Sequence, residues 1–209
     1  MESFYRTHAY LVEHTNAPVR RDLMDEIDWS DRLIGIKGTR GVGKTTFLLQ
    51  YAKEKFGTDR SCLFINMNNF YFSGHSLVDF VNEFQKRGGK VLLIDQVFKH
   101  PDWSKELRMC YDRFPNLKIV FTGSSVMRLK EENLELRDIV KSYNLRGFSF
   151  REFRLRRRWD GALRRRRQGE FAGRSRHGDA RQLRLPHRLG YPGRGGHPRI
   201  WLRPHRAHL

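Results

Sequence analysis

A glycine-rich stretch at residues 38–46 constrains the fold of this chain more than any other feature. It reads Gly-Thr-Arg-Gly-Val-Gly-Lys-Thr-Thr and fits the pattern Gly-x-x-x-x-Gly-Lys-Ser/Thr. Its glycines allow the backbone to curl so that successive N–H groups point at phosphate oxygens. Lys44 adds a positive charge for the outer phosphates, and the Thr45 hydroxyl can bind the Mg²⁺ that accompanies a nucleoside triphosphate. The predicted phosphate-binding residues are Gly38, Thr39, Arg40, Gly41, Val42, Gly43, Lys44, Thr45 and Thr46.

The sequence on either side of this stretch has the form that a phosphate loop requires. Residues 32–37 are mostly apolar and predict a buried strand, and residues 47–56 predict a helix that ends at Gly57. The positive end of that helix dipole would face the bound phosphates.

The rest of the first 150 residues alternates strand and helix patterns. Residues 1–31 have helical spacing and predict a lead-in that packs on the edge of the nucleotide domain. Further strands are predicted at 61–67, 90–95, 117–123 and 140–145, further helices at 75–87 and 103–114, and a helical turn at about 126–129. Such alternation predicts an α/β fold, a parallel sheet sandwiched by helices as in P-loop NTPases.

Asp95 closes a run of four apolar residues and is the candidate metal ligand, with Thr45. Ligand chemistry in α/β sheets lies at the carboxyl ends of the strands, and a carboxylate there can hold Mg²⁺ opposite Thr45. An ordinary helix-capping role for Asp95 is the alternative.

The charge of the chain is distributed unevenly. The net charge of +18 falls as +4 over residues 1–150 and +14 over residues 151–209, where every basic residue is arginine. The two cysteines lie far apart in apolar surroundings and predict buried, reduced thiols. No apolar run is long enough to cross a membrane, and the first residues lack the form of a signal peptide. These features predict a cytoplasmic protein without a membrane partner.

Three further stretches resemble the prokaryotic AAA-type ATPases over roughly residues 5–154. They are residues 94–103, the Phe-Thr-Gly-Ser-Ser of 121–125 and the Leu-x-x-x-Ser-Phe-Arg-Glu-Phe of 145–153. The last two are similar to the branch whose members usually carry a C-terminal DUF4143 domain.

The resemblance implies an ATPase that uses ATP and Mg²⁺ and that associates with itself or with a protein partner. It implies a polar sensor at Ser124, with Ser125 beside it, next to the terminal phosphate. It also aligns Arg137 with a family arginine, although a surface salt bridge explains that residue equally well. The preference for ATP over GTP rests on the resemblance alone.

Gln96 departs from the family pattern, which usually has Asp-Glu where this chain has Asp95-Gln96. A side-chain amide cannot accept a proton at neutral pH, so Gln96 can position a water but cannot act as a general base. Either hydrolysis is slow or absent, or catalysis rests on positioning and Mg²⁺ alone. Lys44, Gln96 and Ser124 are the candidate catalytic residues, and we expect strong binding with weak turnover.

From Arg154 onward the family pattern stops and an arginine-rich tail begins. The tail is a nucleic-acid-binding arm, a solvated disordered end without function, or the product of a reading-frame shift near codon 154. We favour the frame shift, because composition and family pattern change at the same residue. Binding of nucleic acid by such a tail would be largely non-specific.

The sequence thus predicts three segments: a helical lead-in at 1–31, a P-loop ATPase domain at 32–153 and a disordered or irregular tail at 154–209. The predicted function is Mg²⁺-dependent ATP binding by an AAA-type domain with weak hydrolysis. One alternative is a nucleotide-gated nucleic-acid-binding protein that uses the tail. The other is a P-loop kinase, which the Thr-Gly-Ser-Ser stretch disfavours.

Overall fold

The computed structural model describes residues 1–124 and 134–154. The helices in this part of the chain are α1 (Glu2–His14), α2 (Leu23–Glu26), α3 (Lys44–Lys55), α4 (Leu77–Lys86) and α5 (Trp103–Arg113). Residues 150–154 are also helical. The strands are β1 (Leu33–Gly38), β2 (Cys62–Asn66), β3 (Val91–Asp95), β4 (Lys118–Ser124) and β5 (Lys141–Asn144). Short 3-10 turns lie at Phe70–Ser73, Val97–Lys99 and Leu134–Leu136.

The five strands form one sheet in the order β2-β3-β4-β1-β5, and every neighbouring pair is parallel. Parallel neighbours need crossover connections, which α3, α4 and α5 supply on the two faces. The predicted α/β class, a parallel sheet sandwiched by helices, is confirmed. Because β4 lies between β1 and β3, the ends of these three strands meet at one edge of the sheet.

Alternate residues of the strands contribute to two buried apolar layers, one on each face of the sheet. Leu63 and Ile65 of β2 pack into the layer under α4 and α5, whereas Cys62 and Phe64 pack into the layer under α3. Strands buried on both faces have the continuous apolar runs that the sequence shows.

Helix α1 contributes to both layers and covers the edge strand β2. Phe4 belongs to the layer that contains α4, and Val12 belongs to the layer that contains α3. Between them, the buried His8 accepts a hydrogen bond at Nδ1 from the backbone N–H of Phe64, with a length of 3.0 Å. The helix therefore satisfies a backbone donor at the side of β2 that has no neighbouring strand.

The predicted strands all lie within one or two residues of the observed ones, and helix ends differ more. Helix α3 begins at Lys44 rather than at residue 47, because the left-handed Gly43 lets the loop enter the helix directly. In the lead-in, the helical pattern of residues 20–29 yields only the four-residue α2. The Asp28 carboxylate bonds both the N–H and the hydroxyl of Ser30, which favours a turn.

Both cysteines are buried as predicted, and burial raises the pKa of each thiol to about 12. None of the helices in residues 1–124 and 134–154 combines the length and apolar character that crossing a membrane requires. Ser125, the helical turn predicted at 126–129 and the tail beyond Arg154 lie outside the described residues.

Candidate functional site

The loop between β1 and α3 has the backbone that its glycines predict. Gly41 and Gly43 have φ values of 85° and 93°, in the left-handed region that residues with a Cβ rarely adopt. Gly38 is required for a different reason, because a Cβ there would lie 2.4 Å from the carbonyl oxygen of Leu145. The loop therefore curls tightly against the start of the chain segment that follows β5.

Lys44 folds back over this loop from the first position of α3. Its Nζ donates hydrogen bonds to the carbonyl oxygens of Gly38, at 2.7 Å, and Thr39, at 2.9 Å. Burial lowers the pKa of the Lys44 ammonium, and the nearby Asp95 carboxylate opposes that shift. The Lys44 ammonium thus lies against the curled backbone of the loop.

Asp95 lies at the end of β3, is only 1% exposed and receives three side-chain hydrogen bonds. Its Oδ2 accepts from the Thr45 hydroxyl at 2.8 Å and from the Asn66 amide at 3.2 Å. Its Oδ1 accepts from the Thr122 hydroxyl at 2.6 Å. The structure therefore brings together Thr45 and Asp95, the two residues that the sequence suggested for a metal.

Thr122 and Asn66 were missed by sequence reasoning. They lie in β4 and at the end of β2, on the same edge of the sheet as Asp95. The signal available was their position: polar residues near the carboxyl ends of apolar strands. Both types also occur as ordinary strand-end residues, so the pattern alone does not separate the two cases.

Gln96, the residue after Asp95, adopts a left-handed conformation with φ 55° and ψ 46°. It is the only non-glycine residue with positive φ in the described part of the chain. Its N–H donates to the Thr122 hydroxyl oxygen at 3.0 Å. An uncommon backbone conformation held by neighbouring groups is frequent at functional sites.

A cavity of about 610 Å³ joins these groups. Its size falls in the range of ligand-binding clefts. It is lined by Gly38, Arg40, Gly41, Gly43, Lys44, Thr45, Thr46, Asp95, Gln96, Phe98, Lys99 and Ser124. Ser124, at the end of β4, is aligned with Gly38 of β1, so the predicted sensor lies beside the loop. Arg137, in contrast, is exposed and does not line this cavity.

A second cavity of about 360 Å³ also borders the phosphate loop and shares Gly41, Gly43 and Thr46 with the first. Its walls come from the turn at residues 16–19, from Gln50 of α3 and from Phe148. Phe148 therefore gives this cavity an aromatic wall, and Gln50 contributes a side-chain amide.

The donor set at the first cavity suits a magnesium ion that also binds phosphate. Among the described residues, no group of three or more His, Cys, Asp or Glu side chains could hold a metal by itself. Magnesium is commonly held by one or two protein oxygens together with waters and substrate phosphates, and Thr45 with Asp95 supplies such a pair.

The parallel sheet, the left-handed glycines and the lysine at the start of α3 define a P-loop nucleotide-binding domain. More narrowly, the AAA domain family matches residues 30–154, which is more than half of the chain, and the chain belongs to this family. It is therefore an ATP-binding domain of the AAA type.

Other comparisons add a distant structural similarity. A solved structure of C. elegans PCH-2 is similar over 70% of this chain and 42% of its own, with a TM-score of 0.41 and 20% sequence identity. The chain thus spans less than half of that protein. No curated protein matches it.

Proposed function

We propose that this domain binds Mg·ATP with its phosphates in the larger cavity. The observation that carries the proposal is the 2.8 Å hydrogen bond between the Thr45 hydroxyl and the Asp95 carboxylate. It brings two oxygen ligands suited to magnesium together next to Lys44. When bound, Mg²⁺ would neutralise charge on the outer phosphates.

The backbone N–H groups of residues 41–46 would bind the phosphate oxygens at the start of α3, where the helix dipole favours negative charge. Lys44 would exchange its two carbonyl partners for phosphate oxygens. Because Lys44 is partly buried, its charge would act in surroundings of lower dielectric than water, which strengthens its attraction to phosphate.

We propose that the nucleoside lies in the second cavity, which meets the phosphate loop at Gly41 and Gly43. The aromatic ring of Phe148 offers a stacking surface, and the Gln50 amide offers both a donor and an acceptor. Adenine presents a donor and an acceptor on one edge, which an amide can pair with.

Hydrolysis by this domain is proposed to be weak. Gln96 lines the cavity at the position expected for the residue that polarises the attacking water. Its amide can hold a water but cannot accept a proton. Ser124, which lines the same cavity, would help to orient that water.

Calorimetric titration with Mg·ATP tests the binding proposal. Lys44→Ala should weaken binding by about 1.5–3 kcal/mol, since a hydrogen-bonded charge next to phosphate is lost. Lys55→Ala, at the exposed far end of the same helix, is the matched control and should bind as the unaltered protein does. An unaltered, folded protein that ignores millimolar Mg·ATP would end the proposal.

We propose further that the chain derives from the branch whose members carry a DUF4143 domain, with the three segments 1–31, 32–153 and 154–209. The family match ends at residue 154, where the arginine-rich composition begins. The nucleotide sequence around codon 154 tests this. A DUF4143-type continuation in another reading frame is expected, and its absence from both other frames would contradict the frame shift.

A further inference from the structure

The Ser-Phe-Arg-Glu-Phe stretch at residues 149–153 has a structural role that its sequence does not reveal. Residues 150–154 are helical, and Ser149 and Glu152 cap the start of this segment reciprocally. The Glu152 N–H donates to the Ser149 hydroxyl at 3.2 Å, and the Ser149 N–H donates to Glu152 Oε2 at 2.7 Å. This capping box fixes the Glu152 carboxylate and leaves its Oε1 for other partners.

Glu152 Oε1 is bound by two groups from the lead-in, 130 residues earlier in the chain. Arg21 Nε donates to it at 2.9 Å, and the Asp22 N–H donates at 3.0 Å. Arg21 and Glu152 are only 7% and 3% exposed. Burial alone would raise the pKa of Glu152, but its hydrogen bonds to Ser149, Asp22 and Arg21 bring the net pKa below the ordinary value.

The same guanidinium also binds the phosphate loop. Arg21 Nη1 donates to the carbonyl oxygen of Val42 at 3.0 Å, and Nη2 donates to that of Arg146 at 2.6 Å. In a trans peptide the C=O and N–H groups point in opposite directions, and none of the described peptide bonds is cis. The Gly43 N–H, which shares its peptide with the Val42 carbonyl, is therefore directed away from Arg21.

Arg21 also lies against the wall of the second cavity. Its guanidinium carbon lies 4.6 Å from the centre of the Phe148 ring, and both residues line that cavity. One buried side chain thus contacts the phosphate loop, the backbone of residues 146–147 and the aromatic wall.

We infer that Arg21, oriented by Glu152, is a positioning residue that fixes the Val42–Gly43 peptide for phosphate binding and couples the phosphate loop to residues 146–152. This inference rests on the proposed function. Thermodynamic coupling is reciprocal. If the contacts of residues 146–152 raise the affinity for triphosphate by a given factor, bound triphosphate should therefore stabilise those contacts by the same factor.

Calorimetry on full-length variants tests the positioning role with two probes, Mg·ATP and Mg·tripolyphosphate. Arg21→Lys keeps the charge but loses the planar fork that reaches three groups at once. The affinity for both probes should fall by about fivefold or more, because both probes bind the phosphate loop that Arg21 positions. Arg20→Lys is the control: Arg20 pairs with Asp25 and Glu54 on the surface, and affinity should not change.

The outcomes separate the two proposals. If the unaltered protein binds Mg·ATP and folded Arg21→Lys binds both probes equally well, Arg21 is merely structural and the inference is overturned. A loss of thermal stability without a loss of affinity has the same meaning. If the unaltered protein binds neither probe, the proposed function fails and the inference falls with it.

Amide hydrogen exchange on the unaltered protein needs no variant and covers the case in which Arg21→Lys does not fold. The Asp22 and Ser149 N–H groups both donate to Glu152, so their exchange reports on this contact. Saturating Mg·ATP should slow the exchange of both N–H groups by about fivefold or more. The Val78 N–H, which donates to the hydroxyl of Ser76, the N-cap of α4, should not respond. Unchanged exchange at Asp22 and Ser149 under saturation would overturn the coupling.

Discussion

Asp95 illustrates how a buried carboxylate is prepared at the end of a strand. A charge removed from water needs hydrogen-bond partners, and Thr45, Thr122 and Asn66 supply them from three separate elements. Thr122 has a second partner, since its oxygen accepts the Gln96 N–H. One hydroxyl therefore orients both the metal-ligand candidate and the residue beside it.

Thr122→Val tests this arrangement with little change in side-chain volume. It leaves the Gln96 N–H and Asp95 Oδ1 without their buried partner, which costs about 1–3 kcal/mol. We expect Mg·ATP affinity to fall more than ATP affinity measured in EDTA, because the Asp95 carboxylate loses its orientation. Calorimetry with and without Mg²⁺ measures the difference. Thr122→Ser, which keeps the hydroxyl, should retain the Mg·ATP affinity of the unaltered protein. An equal loss of affinity with and without Mg²⁺ in Thr122→Val would contradict an orienting role.

Gln96→Glu tests the prediction of weak turnover. The substitution supplies a group that can accept a proton at the cavity, and general-base catalysis typically contributes about a hundredfold to ten-thousandfold. Phosphate release should rise at least about tenfold, while Mg·ATP affinity changes little. Asn82→Asp, an exposed amide-to-acid change on α4, is the control. Turnover that stays the same in Gln96→Glu would show that the amide is not what limits hydrolysis.

At the level of single residues, the sequence predicts the contacts that a local motif carries. The phosphate loop follows from spacing, and the proximity of Thr45 to Asp95 follows from the strand-end rule. The Arg21–Glu152 pair cannot be predicted in this way. The two residues lie far apart in the chain, and nothing in the sequence distinguishes them from the arginines and glutamates that lie on the surface. The Ser149-x-x-Glu152 spacing fits a capping box, but it predicts only the contacts between Ser149 and Glu152 and not those with Arg21.

At the level of elements, the strands were predicted well because they are buried on both faces and their apolar runs are uninterrupted. Helix ends were predicted less well. The start of α3 depends on a left-handed glycine, and the lead-in is shaped by side-chain turns such as the one at Asp28. These are local geometries that apolar periodicity does not report.

Helix α1 makes the stability of the domain depend on pH through His8. Burial lowers the pKa of the His8 imidazole below 6.5, so the unfolded chain binds a proton that the folded chain does not. Stability should be complete above about pH 6.5 and should decrease as the pH falls below it, by up to about 1.4 kcal/mol per pH unit.

Chemical denaturation between pH 7.5 and 5 measures this dependence. His8→Gln keeps an oxygen that can accept the Phe64 N–H but does not titrate, so its stability should vary less over that range. His14→Gln, on the exposed end of the same helix, should behave like the unaltered protein. Equal pH profiles for all three proteins would exclude His8 as the source.

For the whole molecule, the distribution of charge follows the boundary of the family match. The first 150 residues are close to balanced, at +4, and the remaining 59 carry +14. Attraction to nucleic acid would therefore arise from the tail and would fall steeply with salt. The proposed nucleotide site, in contrast, consists of buried and partly buried groups such as Asp95 and Lys44, whose interactions salt would screen much less.

The position of α1 also has a consequence for the state of association. A parallel sheet that ends in an open strand offers its free backbone groups to any other chain with a matching edge, and proteins commonly cover such edges. Removing residues 1–14 would uncover β2, and we expect the shortened chain to self-associate with added intermolecular β-structure. Sedimentation and infrared spectroscopy would detect this, whereas a monomer of unchanged strand content would argue against it. The first helix would then act as a barrier to aggregation, placed before the segment that binds nucleotide.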